Sequence, residues 1–136
     1  MPASSNRARA KILLVDDSNL CRSMTTEVLS RAGFEVVAIR SPLGFSTALY
    51  EQTPDLALVD VSMPAFNGDQ MVLAAKRSIR TLCPILFYSE RSEEELSELV
   101  ERCGAAGYIR KSDDWGGIVS TIKRFLGSAS SPRWSR

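Results

Sequence analysis

The stretch Leu56-Ala57-Leu58-Val59-Asp60 places a carboxylate directly after an unbroken apolar run. The same arrangement recurs elsewhere: residues 12–15 (ILLV) lead to Asp16 and Asp17, and residues 107–109 (GYI) lead to Lys111. Such runs are typical of strands buried on both faces of a parallel sheet, and ligands bind these sheets beyond the carboxyl ends of the strands. The carboxylates and the lysine are therefore predicted to converge on one site, which suits a cation and a phosphoryl group.

Short apolar runs alternate with helical patterns along the whole chain. Strands are predicted at residues 11–15, 34–39, 55–59, 85–88 and 106–109. Helices are predicted at residues 18–32 and 41–52, and then after Asn67 or Asp69, after Ser92, and after Asp113 or Asp114. This alternation implies βαβ crossovers, so the predicted fold is a three-layer α/β/α sandwich around a doubly wound, five-stranded parallel sheet.

Particular residues mark the helix ends and the buried helix faces. Ser41 and Pro42 form an N-cap with a first-turn proline, Ser92 and Glu95 form a capping box, and Gly33 ends the first helix. The predicted buried stripes are Leu20, Met24 and Val28 in the first helix, Met71, Val72, Ala75 and Ile79 in the third, Leu96, Leu99 and Val100 in the fourth, and Trp115, Ile118, Val119, Ile122, Phe125 and Leu126 in the last.

Composition indicates a soluble globular protein. Of 136 residues, 44% are hydrophobic and 24% are charged, and the formal net charge of +1 gives no global argument for binding nucleic acid or a membrane. We expect one domain at residues 11–127, between a flexible basic segment at residues 1–10 and a flexible tail at residues 128–136. No stretch reaches the roughly 18 apolar residues of a membrane span, and residues 1–10 lack the apolar centre of a signal peptide, so we expect a cytoplasmic protein.

The cysteines do not predict a metal or disulfide framework. Cys21, Cys83 and Cys103 are far apart in the sequence, and the chain has no histidine. Without a CxxC pair or histidine, zinc binding is not expected, and each cysteine is interpreted as a small apolar residue.

Five separated elements occur in order, each near the end of a predicted strand. They are Asp16-Asp17, then Asp60, then Met63-Pro64 with Gly68, then Ser89, and finally residues 104–111 (GAAGYIRK). Over about residues 10–127 the chain resembles the receiver domain of bacterial response regulators, the CheY-like superfamily, in its stand-alone form. The resemblance implies a flavodoxin-like sheet with strand order 2-1-3-4-5. It also implies a phosphoprotein of two-component phosphorelay signal transduction, with Asp60 as the phosphoacceptor.

An aspartate that attacks a phosphoryl group brings like charges together. At 4 Å this repulsion is about 4 kcal/mol for an effective dielectric constant of 20, so cations must offset it. Magnesium is often held by one or two carboxylates and keeps several waters, so Asp17 and Asp60 would suffice as direct ligands, with Asp16 bound through water. The resemblance adds the backbone carbonyl of Ser62 as a further ligand.

The resemblance also assigns the groups that contact the phosphoryl oxygens. Lys111 would place its ammonium against one oxygen, and the Ser89 hydroxyl would hydrogen-bond another. In the family this hydroxyl residue moves toward the phosphate while an aromatic residue swings inward, and Tyr108 matches that aromatic residue. The output is the surface of the fourth helix, fifth strand and fifth helix. The acidic helix at residues 92–102 on this surface is interpreted as a solvated face, or alternatively as a surface that attracts a basic partner.

Two positions depart from the family pattern and can modulate the site. Glu90 follows Ser89 where a small residue is usual, and it adds bulk and negative charge beside an incoming phosphoryl group; Arg91 is a further possible modulator. Ser112 follows Lys111 where the family has a cis proline, and a non-proline cis bond costs about 2.5 to 4 kcal/mol. Either the bond is trans and Lys111 is shifted, or a strained bond is retained.

The leading hypothesis is a receiver that takes a phosphoryl group from a histidine kinase or phosphotransfer protein and signals to a downstream protein. We expect a monomer or a phosphorylation-dependent dimer, with no nucleic acid or membrane partner. It would not be an enzyme, since it catalyses only its own phosphorylation and dephosphorylation. The absence of histidine excludes an internal phosphohistidine relay.

Two alternatives remain beside this hypothesis. Glu90 and Ser112 support a phosphorylation-independent pseudo-receiver that acts as a protein-interaction module. An enzyme of similar architecture, such as a phosphatase or flavin protein, is disfavoured. An aspartate-dependent phosphatase would prefer an acid two residues after its nucleophile, where this chain has Ser62, and no Ser/Thr-rich phosphate loop follows the first strand.

Overall fold

The fold alternates strands and helices. A computed structural model describes residues 9–64, 66–77 and 83–128 of the chain. The strands are β1 (Lys11–Val15), β2 (Glu35–Ile39), β3 (Leu56–Asp60), β4 (Ile85–Ser89) and β5 (Gly107–Arg110). The α-helices are α1 (Asn19–Arg31), α2 (Phe45–Gln52), α3 (Gly68–Arg77), α4 (Glu93–Cys103) and α5 (Trp115–Ser128).

The strands form one parallel sheet in the order β2-β1-β3-β4-β5. The register places Leu58 of β3 between Leu14 of β1 and Leu86 of β4. The predicted α/β sandwich and its flavodoxin-like strand order are thus confirmed. Because all strands run in the same direction, their carboxyl ends lie along one edge of the sheet, where ligands bind in such folds.

Helices cover both faces of this sheet. On one face, Leu13 of β1 belongs to an apolar cluster with Phe45 of α2. On the other face, Leu14 belongs to a cluster with Leu29 of α1 and Ile122 of α5. This two-sided burial explains the unbroken apolar runs in the sequence, since neither face of the central strands meets water.

The predicted helix caps are largely confirmed. Ser92 and Glu95 form a capping box at the start of α4, each side chain accepting a hydrogen bond from the backbone N–H of the other. Asn67 and Asp114 accept N–H groups three residues ahead, at 3.0 Å and 2.6 Å, at the starts of α3 and α5. The predicted helix at residues 41–52 begins instead as a 3-10 turn at Pro42–Gly44 and becomes α-helical at Phe45.

The buried face of α1 differs from the prediction. Leu20 is 69% exposed and Met24 is 46% exposed, whereas Thr25 is 1% exposed and Leu29 is fully buried. The predicted burial of Leu20 and Met24 is therefore wrong. The buried face lies one residue further round the helix, where Thr25 meets the hydroxyl of Tyr88 on the sheet.

Smaller differences concern the ends of the strands. Asp60 is the last residue of β3 rather than the first of a loop, and β5 ends at Arg110, one residue later than predicted. Ile79 of the predicted third stripe lies outside the described residues, as do residues 1–8 and 129–136. Among the described residues, no helix has the length and apolar character needed to cross a bilayer.

Candidate functional site

Four polar side chains lie where the strands end. Asp16 follows β1, Asp60 and Ser89 are the last residues of β3 and β4, and Lys111 follows β5. We call these four residues, together with Asp17 next to Asp16, the carboxyl edge. The sheet hydrogen bonding continues past the strands and holds their backbone: the Asp16 N–H donates to Ile39 at 3.1 Å, and the Lys111 N–H donates to Ser89 at 2.8 Å. The site is therefore built on the hydrogen-bonded framework of the sheet.

Three carboxylates gather at this edge. Each of Asp16, Asp17 and Asp60 offers an oxygen, and these oxygens lie within 4.8 Å of one another. Asp16 and Asp60 are buried, while Asp17 is exposed. Oδ1 of Asp16 accepts the Ser18 N–H at 3.0 Å, which fixes the orientation of that carboxylate. One carboxylate thus faces solvent beside two that are held in place.

Lys111 extends its ammonium between the two buried carboxylates. Its Nζ lies 3.1 Å from Oδ2 of Asp60 and 3.5 Å from Oδ2 of Asp16, and its side chain is 13% exposed. Burial by itself lowers the pKa of Lys111, but the hydrogen bond and charge of Asp60, together with Asp16, raise it above the ordinary value. The ammonium therefore stays charged at neutral pH.

At Asp16, in contrast to Lys111, the surroundings disfavour the charged form. Burial raises its pKa, and the Ser18 N–H and the Lys111 charge only partly oppose this effect. With the three carboxylates ionised, one ammonium leaves two negative charges uncompensated within the site. An all-oxygen donor set with this charge fits a hard divalent cation such as magnesium.

The Asp60 carboxylate is held from both sides. Its Oδ1 accepts the Ser62 N–H at 2.8 Å, and its Oδ2 contacts Lys111. The Ser62 hydroxyl lies 3.2 Å from the Ser89 hydroxyl, which also accepts the Arg91 N–H at 3.1 Å. Ser62 and Ser89 thus form a hydroxyl pair directly beside Asp60.

The remaining predicted residues lie around this centre. Tyr108 is half-buried and packs against the apolar cluster that contains Phe87. Glu90 is exposed, although Ser89 beside it is fully buried. Every peptide bond among the described residues is trans, including the one before Ser112, yet Lys111 still contacts Asp60. The trans bond therefore does not move the lysine out of the site.

Sequence reasoning missed two groups at this site. Tyr88 is 2% exposed, its ring centroid lies 5.1 Å from the Lys111 Nζ, and its hydroxyl lies 3.4 Å from that of Thr25. Arg22 donates to the backbone carbonyl of Asp16 at 2.9 Å. Tyr88 adjoins Ser89 in an apolar strand, a position that could have pointed to the site, whereas nothing in the local sequence singles out Arg22.

The chain matches the model of the response regulator receiver domain over residues 12–123. Among curated relatives, the transcriptional regulatory protein GltR of Pseudomonas aeruginosa is 32% identical over 116 residues, covering 85% of this chain and 48% of that protein. The polar-differentiation response regulator DivK of Brucella ovis is 25% identical over 120 residues, covering 87% of this chain and 97% of that protein. The chain thus spans about half the length of GltR and nearly all of DivK.

Solved structures give the same picture. The chemotaxis response regulator CheY4 of Vibrio cholerae has a TM-score of 0.77 at 27% identity, over 86% of this chain and 98% of that one. A putative response regulator from Chloroflexus aurantiacus has a TM-score of 0.79 at 25% identity, over 88% of this chain and 98% of that one. The chain therefore belongs to the family of response regulator receiver domains, the signalling modules of two-component systems.

Proposed function

We propose that this receiver domain works in the cytoplasm, accepts a phosphoryl group on Asp60 from a histidine kinase or phosphotransfer protein, and signals by protein contact. The observation that carries the proposal is the burial of the Asp60 carboxylate and the charged groups that surround it. It is buried at a strand end, it contacts the Lys111 ammonium at 3.1 Å, and it shares a site with Asp16 and Asp17.

The transfer is a substitution at phosphorus. A carboxylate oxygen of Asp60 forms the new P–O bond as the P–N bond of a phosphohistidine breaks, and the leaving imidazole takes up a proton. The attack brings an anion toward a dianion. Lys111 offsets this repulsion because its charge is already in the site and needs no rearrangement.

Magnesium is the proposed cofactor. Asp17 and Asp60 are the proposed direct ligands, with Asp16 bound through water and the Ser62 backbone carbonyl completing the protein's share. When bound, the ion supplies positive charge that neutralises the phosphoryl oxygens during transfer.

Ser89 and Tyr108 are the residues proposed to change position when Asp60 is phosphorylated. The Ser89 hydroxyl is paired with the Ser62 hydroxyl in the described state, so donating its proton to a phosphoryl oxygen requires that Ser89 does not donate it to Ser62. Movement of Ser89 would reach Tyr108 through β5, the strand that pairs with β4. The proposed output is the α4-β5-α5 surface, whose exposed glutamates on α4 suit a basic partner.

Labelling with acetyl phosphate tests the proposal. With magnesium present, intact mass spectrometry should detect one added phosphoryl group, and chelation of the metal should prevent it. Asp60→Asn should remove the label. Asp113→Asn is the matched control, since Asp113 is an exposed aspartate near the site and should label like the wild type.

The same experiment decides the alternative of a phosphorylation-independent pseudo-receiver. The specific observation in its favour is Glu90 beside Ser89, although its exposure weakens that support. A folded wild type that takes no label from acetyl phosphate with magnesium would favour the phosphorylation-independent module. Label that persists in Asp60→Asn would move the acceptor to another residue.

A further inference from the structure

Lys111 has a third neighbour besides its two carboxylates. Its Nζ lies over the ring of Tyr88, 5.1 Å from the centroid. An ammonium within about 6 Å of an aromatic face is attracted by the ring quadrupole, and the attraction is stronger when both groups are withdrawn from water. Here Tyr88 is 2% exposed and the Lys111 side chain is 13% exposed.

The ring itself is fixed in place. Tyr88 lies in β4, where it is paired with Asp60 of β3, and its carbonyl accepts the Val61 N–H at 3.1 Å. The far end of the side chain meets the Thr25 hydroxyl at 3.4 Å, and Thr25 is 1% exposed. A buried threonine in the middle of an amphipathic helix is otherwise unexplained, because a polar group in such a place needs a partner.

The ring differs from the carboxylates in how it acts during the reaction. Asp16 and Asp60 are proposed to bind a metal ion or to become phosphorylated. Their electrostatic attraction for the Lys111 ammonium therefore changes during the reaction. The Tyr88 ring takes no part in either event, and its attraction for Lys111 therefore persists. A persistent contact is useful here, because Ser112 gives the loop after Lys111 no proline to restrain it.

We infer that Tyr88 is a positioning residue whose ring holds the Lys111 ammonium against the acceptor carboxylate. The inference rests on the proposed function for its effect on rate, while the placement of Lys111 can be measured without any phosphorylation. Tyr88 does not touch the reacting atoms and acts only through the lysine.

Three variants distinguish the effect of the Tyr88 ring from the effect of its hydroxyl and from a general change in core packing. Tyr88→Leu removes the ring and keeps a bulky apolar side chain, whereas Tyr88→Phe keeps the ring and removes the hydroxyl. Phe87→Leu is the matched control, since Phe87 is a fully buried ring in the same strand that packs into the cluster on the opposite face of the sheet.

The first measurement is the rate of Asp60 labelling by acetyl phosphate with magnesium, under conditions where each variant is folded. Tyr88→Leu should label about fivefold more slowly, which corresponds to the loss of one partly buried cation–π contact. Tyr88→Phe should label within about twofold of the wild type, because it keeps that contact. Phe87→Leu should label at the wild-type rate.

The second measurement is NMR of the Lys111 side chain in protein without phosphodonor, with the signals assigned by their loss in Lys111→Arg. In the wild type, the methylene signals next to Nζ should lie upfield of those of ordinary lysines, owing to the ring current of Tyr88. Tyr88→Phe should keep this shift, and Tyr88→Leu should lose it. The wild-type spectrum alone provides a test should Tyr88→Leu not fold.

Each outcome has a distinct meaning. A wild-type lysine without an upfield shift, or a shift that survives in Tyr88→Leu, overturns the inference. Equal labelling rates for Tyr88→Leu and the wild type also overturn it, and so does equal slowing in Phe87→Leu. If the wild type takes no label at all, the proposed function fails, and the NMR result still decides whether Tyr88 positions Lys111.

Discussion

Leu58 and Asp60 lie two residues apart in β3 and are both buried, at 0% and 3% exposure. They nevertheless belong to regions with opposite effects on the stability of the fold. Leu58 is part of the sheet interior, the buried apolar residues of the strands, where every contact favours folding. Asp60 is part of the carboxyl edge, where the same strands end in charged groups withdrawn from water. The comparison indicates that one region stabilises the fold, whereas the other holds buried charges that lower its stability.

The electrostatics of the carboxyl edge support this distinction. Burial raises the pKa of Asp16, so its ionised form opposes folding at neutral pH. Lys111 compensates only in part, because one ammonium faces two buried carboxylates. Substitutions in the two regions should therefore change stability in opposite directions.

The largest effect is expected in the sheet interior. Leu58→Ala should lower the free energy of unfolding by about 3 kcal/mol, because it leaves a cavity in a close-packed core. Urea denaturation followed by circular dichroism measures this change. Leu43→Ala is the matched control, since Leu43 is 90% exposed, and its effect should stay within about 0.5 kcal/mol. Equal effects for both variants would contradict the placement of the core.

Magnesium should stabilise the wild type by relieving the charge at the carboxyl edge. At ten times its Kd the ion should add about 1.4 kcal/mol to the free energy of unfolding. Thermal unfolding over a magnesium titration measures the gain. Asp17→Asn should lose more of this gain than Asp16→Asn, because a direct ligand is lost more completely than a contact through water. Equal or reversed losses would reject the proposed ligand roles.

In metal-free protein, Asp16→Asn should raise the free energy of unfolding by about 1 kcal/mol at neutral pH. The amide keeps an oxygen for the Ser18 N–H and removes a buried charge. Denaturation in the presence of a chelator measures the change. A loss of stability would mean that the attraction to Lys111 outweighs the burial of the carboxylate.

The pH dependence of this stabilisation follows from the raised pKa of Asp16. The ionised carboxylate opposes folding fully above its folded-state pKa, and its effect vanishes as the pH falls below the ordinary value of 3.8. The advantage of Asp16→Asn should therefore shrink as the solution is acidified. An advantage that grows toward acid would contradict the assigned direction.

The smallest effect is expected at Glu90, which is exposed beside the fully buried Ser89. Glu90→Gln and Glu90→Ala should each speed labelling of Asp60 by about twofold at low salt, because only a screened charge is removed. Labelling time courses at low and high salt measure this, with Glu94→Gln on exposed α4 as the control. A larger gain for Ala than for Gln would indicate that bulk, and not charge, restricts entry.

The sequence predicted the sheet because buried strands require unbroken apolar runs, as in residues 12–15 and 56–59. It predicted which residues meet at the carboxyl edge because each follows such a run. It did not predict the buried face of α1: Leu20 and Met24 have helical spacing, but the helix packs on the sheet through Leu29, and Thr25 meets the Tyr88 hydroxyl. Such partners come from distant parts of the chain, so local periodicity does not reveal them.

The most direct test of the central claim is to identify the labelled residue itself. After treatment with acetyl phosphate and magnesium, borohydride reduces an aspartyl phosphate to homoserine, and peptide mass spectrometry locates the product. We predict homoserine at position 60 in the wild type, and none in a sample without magnesium or in Asp60→Asn. Homoserine at another aspartate, or at position 60 regardless of magnesium, would contradict the assignment of the carboxyl edge as a metal-assisted phosphoacceptor site.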